Sequence, residues 1–172
     1  MTIYKEEVVL QTQDRVSYVD ITDKIKKIVE RSGIKNGVVM LVTPHTTCSI
    51  IFEEYTHDVD ENGYDFLQVD LNNILEQIIP RHLSELSYKY PGPEHYKTVK
   101  SWPNVSEYLP DNDPSSLWNG DAHIKATLLG SSQMIDVLNG KLNVGKTGYY
   151  YFVDFDQTRG RTRKCLVTII GE

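Results

Sequence analysis

Polar side chains that can do chemistry are concentrated in residues 42–60, VTPHTTCSIIFEEYTHDVD. The stretch is typical of an apolar strand, a polar elbow after Pro44, a second strand and an acidic loop. Its candidate functional residues are His45, Thr46, Thr47, Cys48, Ser49, Glu53, Glu54, His57, Asp58 and Asp60. Imidazole can act as acid, base or metal ligand near neutral pH, and hydroxyls with strand-end N–H groups suit phosphate. We therefore expect this stretch to bind an anionic small molecule.

A second polar cluster lies in residues 121–130, DAHIKATLLG. His123 falls near the start of a predicted helix, where free N–H groups favour anions, and Lys125 adds a positive charge. The alternative is that His123 only packs and Asp121 is an ordinary cap. We expect the two clusters to meet in one polar pocket. There His45 and His123, with Glu54 or His57, would supply three ligands for a metal ion, although no HxxxH or CxxC spacing is present.

Three arginines, Arg159, Arg161 and Arg163, recur at every second position. In an extended chain all three point to the same side, which would make an oxyanion clamp. Alternatively they form a solvated edge or pair with Asp154 and Asp156, which also share a face. The sequence leaves these readings open.

The acidic loop DVDENG, residues 58–63, resembles the opening of a calcium-binding loop. The resemblance then fails, because Val69 stands where the bidentate glutamate belongs and Asp65 occupies a normally apolar position. An acidic turn, or a magnesium-linked substrate site, fits these residues better. Cys48 is expected to be a small buried strand residue.

Regular elements must position these side chains. Strands are predicted at residues 3–11, 15–21, 38–42, 49–52, 149–156 and 163–170, and a hairpin at 133–144 turns at Asn139-Gly140. The continuous apolar run at 38–42 predicts a strand buried on both faces. About three helices are predicted: one from Thr22 to a stop at Gly33, one over 64–79 and one over 121–129.

Residues 88–118 form a proline- and aromatic-rich insertion, which we call the aromatic segment. It contains five of the seven prolines and six Tyr or Trp side chains, too aromatic a composition for a plain disordered linker. We predict a long ordered loop that serves as a lid or a subunit contact.

Composition indicates one globular domain spanning residues 1–172, with 40% hydrophobic and 24% charged residues. The net charge of −6 argues against a general nucleic-acid partner. No apolar run approaches the roughly 20 residues that cross a membrane, and the first residues do not form a signal peptide. Two cysteines suit a reducing cytoplasm. We expect a cytoplasmic protein with no nucleic-acid or membrane partner.

Five motifs together resemble the YjbQ-like family, often labelled secondary thiamine-phosphate synthase. They are HTTCSI at 45–50 with the following Glu54, Asp70, DAHIKATLLGSS at 121–132, NGKLNVG at 139–145, and the terminal RTRKCLVTIIG. The resemblance covers nearly the whole chain outside the aromatic segment. It implies a compact single α+β domain, with a largely antiparallel β-sheet or sandwich, that forms a homotrimer.

The same resemblance implies a site near subunit contacts, built from His45, Thr46, Thr47, Ser49, Glu54 and His123. It also implies an activity that joins a pyrimidine pyrophosphate to a thiazole phosphate, with a metal ion nearby. The chain departs from many members at Glu53-Glu54 and His57-Asp58, and it has Gly145-Lys-Thr-Gly-Tyr149 in place of Gly-Thr-Trp-Gln-Gly. These departures and the aromatic segment indicate a subgroup with its own substrate.

The leading hypothesis is an enzyme that acts on a phosphorylated small molecule with a divalent ion such as Mg²⁺ or Zn²⁺. In it His45, His123 and Glu54 are catalytic groups or metal ligands, and the substrate-binding residues are Thr46, Thr47, Ser49, Lys125 and Arg161. One alternative is a non-catalytic protein that binds a metal or an anionic metabolite. Another is an interaction protein that docks partners on the aromatic segment.

Overall fold

The computed structural model describes residues 1–172. Its strands are β1 (Thr2–Gln11), β2 (Ser17–Asp20), β3 (Gly37–Val42), β4 (Cys48–Glu54), β5 (Ser132–Leu138), β6 (Lys141–Leu142), β7 (Gly148–Asp154) and β8 (Thr162–Gly171). Its helices are α1 (Thr22–Ser32), α2 (Phe66–Ile78), α3 (Gly92–Lys100), α4 (Val105–Tyr108) and α5 (Gly120–Leu129). None of these helices combines the length and apolar character needed to span a bilayer.

The strands form two antiparallel sheets. One has five strands in the order β1-β8-β3-β5-β6, and the other has three in the order β2-β7-β4. The strands predicted at 3–11 and 15–21 are both present, but β1 pairs with β8 and β2 with β7, so they belong to different sheets. The predicted hairpin is confirmed: Asn139 and Gly140 both have positive φ, as a two-residue hairpin turn requires.

The fold has three layers: the five-stranded sheet, the three-stranded sheet, and the helices α2 and α5. The side chains of β7, in the middle layer, alternate between the two cores. Tyr150 and Phe152 face the main core between the two sheets, which α1 closes at one side with Ile25. Tyr151 and Val153 face the opposite way, into a second core under α2 and α5. Both faces of β7 are therefore buried, which explains its nearly continuous apolar sequence.

The prediction that residues 38–42 are buried on both faces is wrong for this chain. Val39 and Leu41 are fully buried between the sheets, but the opposite face of the five-stranded sheet has no covering layer. On that face Val42 lies opposite Leu166 of β8, and both side chains are more than one-third exposed.

The three predicted helices correspond to α1, α2 and α5. Gly33 ends α1 with a φ of 71°, and Gly130 follows α5. Asp65 begins α2: its carboxylate accepts a hydrogen bond from the Leu67 N–H at 2.9 Å, and the Gln68 side chain accepts one from the Asp65 N–H at 3.3 Å.

The aromatic segment is more regular than the predicted loop. It contains α3, α4 and two short 3₁₀ turns, Pro110–Asn112 and Pro114–Leu117, and so raises the number of α-helices from about three to five. Its own small core is made by Val99, Leu109 and Leu117. Pro93, Pro110 and Pro114 lie in the first turn of their helices, where a backbone N–H would have no partner within the helix, so these prolines do not interrupt it.

Candidate functional site

A cavity of about 630 Å³ lies at one end of the two sheets. There β3 ends at Val42 and β4 begins at Cys48, while β7 and β8 are joined by the loop 155–161. Because β3 pairs with β8 and β4 with β7, the turn 43–47 and that loop emerge side by side. The start of α5 and the aromatic segment complete the walls. Five predicted site residues line the cavity: His45, Thr46, Thr47, His123 and Arg161.

His45 is fixed by the sheet itself. Its Nε2 accepts a hydrogen bond from the Lys164 N–H of β8 at 3.0 Å, beyond the point where β3 ends. In the neutral ring the proton therefore sits on Nδ1, which has no hydrogen-bond partner in the protein and is available to a ligand. Partial burial, and then the nearby Arg163 guanidinium, lower the pKa of His45 and favour this neutral form at pH 7.

A buried ion pair underlies the His45 side of the cavity. Arg163 donates from Nε to Asp154 Oδ2 at 2.7 Å and from Nη2 to Thr47 Oγ1 at 3.0 Å. Asp154 is fully buried and also accepts from the Thr12 hydroxyl at 2.9 Å. Burial opposes the charge on Arg163, but the bonds to Asp154 outweigh it and raise the pKa of the guanidinium. Thr47 is thus part of the cavity floor, held by Arg163.

A second ion pair lies within the loop 155–161 and is linked to the start of α5 by Asn119. Arg161 donates to Asp156 Oδ2 at 2.6 Å, and Asn119 donates its amide to the same oxygen at 2.9 Å. The other oxygen of Asp156 accepts from the Thr158 N–H at 2.9 Å and from its hydroxyl at 2.6 Å. Burial opposes ionisation, but Arg161 and these hydrogen bonds prevail and lower the pKa of Asp156.

The arginine row combines the two alternatives that the sequence left open. Arg161 and Arg163 pair with Asp156 and Asp154, yet all three arginines line the cavity. Arg159 has no carboxylate partner and donates to the Ser116 and Glu107 carbonyls of the aromatic segment, at 3.3 and 2.5 Å. Burial and the neighbouring guanidiniums lower the pKa of Arg159. Arg159 is thus the one arginine of the three without a carboxylate partner, although the exposed Glu107 carboxylate also lines the cavity.

His123 occupies the first turn of α5, across the cavity from the sheet ends. Its ring packs against Tyr90, with centroids 5.1 Å apart, and Tyr90 packs against His95 at 5.2 Å. Burial lowers the pKa of His123, and the attraction of the Asp156 carboxylate only partly opposes that shift. The structure thus brings His45, Thr46 and Thr47 of the first cluster and His123 of the second into one cavity.

Glu54 is not part of this cavity. It ends β4, so the extended strand carries it about 20 Å from Cys48 at roughly 3.3 Å per residue. There it lies in a separate depression beside Asp70. The predicted ligand set of His45, Glu54 and His123 is therefore not assembled within one chain, because the strand between them points away from the site.

Ser49 and Lys125 are also placed away from the cavity. Ser49 is fully buried and donates its hydroxyl to the Ala126 carbonyl at 3.2 Å, so it joins β4 to α5. Lys125 is 1% exposed, and its Nζ donates to Glu76 at 2.8 Å and to Asp121 at 3.2 Å. Both assignments as substrate-binding residues are corrected by the structure, because each polar group is already engaged in packing the helices.

A protein-only metal site does not fit the donors that are present. No group of three or more His, Cys, Asp or Glu side chains is arranged to hold a metal ion. His45 Nε2 already accepts a backbone N–H, and both oxygens of Asp156 are engaged. In the acidic loop, Asp60 accepts the N–H groups of Asn62 and Tyr64, both at 2.9 Å, which makes that loop an acidic turn.

Several residues that line the cavity are not predicted as site residues from the sequence. Asn119 precedes α5 and had no signal beyond that of an ordinary helix cap. Tyr90, Trp102 and Tyr108 were noted only as members of an aromatic-rich stretch, and their position in the cavity wall depends on how the segment folds back. Cys48 is a buried core residue, as predicted, and burial raises the pKa of its thiol.

Two stacked antiparallel sheets with packed helices, and a histidine- and arginine-lined cavity at one end, define a small α+β domain. The model of the family described as UPF0047 protein YjbQ-like matches residues 6–172. The chain therefore belongs to this family, as its motifs predict.

This chain matches individual relatives over nearly their full length. A UPF0047 protein of Archaeoglobus fulgidus is 32% identical over 161 residues, which cover 94% of this chain and 97% of the relative. One from Methanothermobacter thermautotrophicus is 28% identical over 172 residues, covering 100% and 95%. A crystal structure of an uncharacterized YjbQ/UPF0047 protein from Clostridium acetobutylicum has a TM-score of 0.68 and 32% identity, covering 96% and 99%. These comparisons confirm the predicted fold class.

Proposed function

We propose that the protein is an enzyme that acts on a phosphorylated small molecule in the cavity between His45 and His123. The observation that supports this is the convergence of three histidines (His45, His95 and His123) and three arginines on one cavity of about 630 Å³. This volume lies within the range of roughly 300–1,000 Å³ that is typical of small-molecule sites.

Donors without partners make the cavity suitable for phosphate oxygens. The Nε of Arg161 is buried and has no hydrogen-bond partner, although the same guanidinium is anchored to Asp156. The Thr46 hydroxyl is exposed at the cavity and also makes no hydrogen bond within the protein. Charged and neutral donors fixed in this way bind phosphate strongly, because the protein does not have to reorganise to orient them.

Within this class we propose a coupling similar to that of thiamine-phosphate synthase. The thiazole nitrogen attacks the methylene carbon of the pyrimidine pyrophosphate, so that a C–N bond forms while the C–O bond breaks. Pyrophosphate leaves with the bonding electron pair, and negative charge grows on the departing oxygen. Arg159 and Arg161 would stabilise that charge, and the Nδ1–H of His45 would donate to it.

The alternative is a non-catalytic protein that binds an anionic metabolite. It is favoured by the state of the nearby carboxylates, because Asp154 and Asp156 are both paired with arginine and Glu54 lies elsewhere. Neither aspartate is then free to act as a base, and the remaining carboxylate of the cavity wall, Glu107, is exposed on the aromatic segment. Such a protein would retain its ligand without turnover.

The test is a mass-spectrometric assay for thiamine phosphate, made with the pyrimidine pyrophosphate, the thiazole phosphate and either Mg²⁺ or EDTA. General acid–base groups typically contribute about 100-fold or more, so we expect His45→Ala and His123→Ala to lose at least that much product. His57→Ala is the matched control, because His57 is exposed and outside the cavity. Full activity of His45→Ala would refute its role, and tight pyrophosphate retention without product would favour the binding protein. Equal rates in Mg²⁺ and in EDTA would refute the expectation that the reaction requires a divalent ion.

We also propose that the chain assembles as a homotrimer through the uncovered face of the five-stranded sheet. Val9, Met134 and Leu138 on that face are each more than half exposed, an unusual density of apolar side chains for a free surface. Light scattering should give three times the 19.7 kDa of one chain, and Met134→Asp should lower that mass. A monomer at micromolar concentration would refute the assembly.

A further inference from the structure

The wall contributed by the aromatic segment differs chemically from the arginine wall. It presents Tyr90, Val99, Trp102, Tyr108 and Leu117 to the same cavity. Trp102 and Tyr108 form an edge-to-face pair with centroids 4.9 Å apart, and each remains 36% exposed. Aromatic faces left open beside a cationic wall are suited to a flat ring whose attached group is an anion.

Asn119 lies where the two walls meet and carries an unused acceptor. The residue is 6% exposed, and its Nδ2 donates to Asp156 Oδ2 at 2.9 Å. A carboxylate only accepts, so the amide cannot be turned round, and Oδ1 must point away from Asp156. That Oδ1 is buried without a hydrogen-bond partner, in a residue that lines the cavity.

An orphaned acceptor in a cavity of donors selects for a particular ligand. Ionised phosphate oxygens cannot satisfy it, because they only accept, whereas an N–H group on a ring can. The cavity is also far larger than inorganic phosphate requires. We propose that it takes a phosphorylated nitrogenous ring bearing an N–H donor, with Asn119 Oδ1 accepting that N–H and the Trp102–Tyr108 pair contacting the ring.

This inference rests on the proposed function, since it places the phosphate against Arg159 and Arg161. It adds that the aminopyrimidine, which has an amino group, occupies the Asn119 side of the cavity, whereas the thiazole phosphate has no N–H to offer. Asn119 and Trp102 are thus assigned to ring recognition, separately from the anion-binding arginines.

Titration calorimetry on the full chain tests the assignment with three probes: inorganic pyrophosphate, the aminopyrimidine pyrophosphate, and its analogue lacking the amino group. We expect the aminopyrimidine compound to bind about tenfold more tightly than pyrophosphate, since ring stacking on aromatic side chains typically contributes that much or more. Trp102→Ala should remove most of this gain, and Trp102→Phe should retain most of it. Asn119→Leu should abolish the preference for the amino compound over its analogue, about fivefold.

Pyrophosphate affinity serves as the internal control and should stay within about twofold in the two Trp102 variants. Asn119→Leu also removes a hydrogen bond from Asp156, so it is judged by the ratio of the affinities for the amino compound and its analogue, in which a change in anion binding cancels. If wild-type protein binds pyrophosphate but gains nothing from the ring, the inference fails and the proposed function stands. If Asn119→Leu weakens all three probes equally, Asn119 only positions Asp156, and its assignment is overturned. If no probe binds, the proposed function and this inference both fail. Adenosine monophosphate, compared with inorganic phosphate, is an added arm: a gain that Trp102→Ala removes would support the ring site and identify a nucleotide as its ligand.

Discussion

Replacing Lys125 with methionine is expected to destabilise the fold while leaving anion binding intact. Lys125 is the largest of the fully buried side chains, and its ammonium lies between Glu76 and Asp121. Glu76 is 42% exposed at its side chain and can turn to solvent, but Asp121 is only 4% exposed. Methionine fills a similar volume, so the main effect is an uncompensated carboxylate inside the protein.

The expected loss in the free energy of unfolding is large for a single substitution. Removing one partner of a buried ion pair typically destabilises by about 3–5 kcal/mol. At roughly 2–4 °C per kcal/mol for a chain of this size, the melting temperature should fall by about 10 °C. The exposed pair Lys97–Glu94, with nitrogen and oxygen 3.7 Å apart, provides the matched control. Lys97→Met should change stability by less than about 1 kcal/mol, because solvent screens that pair.

Urea denaturation provides the measurement, because the midpoint should fall while the slope m stays constant. The double variant Lys125→Met/Asp121→Asn should recover part of the loss, since it also removes the orphaned charge. Pyrophosphate affinity should not change in either variant. A Lys125→Met protein that is as stable as wild type but no longer binds pyrophosphate would refute this prediction. That result would mean that Lys125 binds the anion.

Three further predictions follow from buried groups. Ser49→Ala should reduce stability by about 1 kcal/mol in urea denaturation without affecting pyrophosphate affinity, because the Ser49 hydroxyl bonds only to the Ala126 carbonyl. Burial lowers the pKa of His45 and His123, so their stabilising neutral forms prevail above about pH 6.5 and are lost as the pH falls below it. The urea midpoint should therefore drop between pH 7.5 and 5.5, and should drop less in the double variant His45→Asn/His123→Asn; equal drops in the variant and the wild type would contradict the assignment. Burial raises the pKa of the Cys165 thiol to about 12 and also that of Cys48, so a maleimide should label both only after unfolding, and rapid labelling of the native protein would disprove their burial.

Local patterns in the sequence determined most of the secondary structure. Asn139-Gly140 adopts positive φ with little strain, and Gly33 ends a helix for the same reason, so neither depends on distant residues. The strand predicted at residues 149–156 is likewise present, as β7. The aromatic segment was harder to predict, because its helices are short and begin with prolines, and their apolar residues pack mainly on one another.

The residues that form the site were only partly determined by sequence. His45 and His123 were identified because each lies at the end of a regular element, where backbone groups are free. The roles of Lys125 and Arg161 could not be distinguished that way, because both are cations with an acidic residue nearby in sequence. Tertiary structure decided between them: Lys125 is enclosed by Glu76 from a distant helix, whereas Arg161 remains at a cavity wall with its Nε unpartnered.

Glu54 and Asn119 show the same limit from opposite directions. Glu54 is near His45 in sequence but is carried away by an extended strand, since each strand residue adds roughly 3.3 Å. Asn119 is far from His45 in sequence but lines the same cavity, because α5 packs across β4. Sequence determines local conformation through short-range sterics and hydrogen bonds, whereas the membership of a site depends on long-range packing that brings separate elements to one end of the sheets.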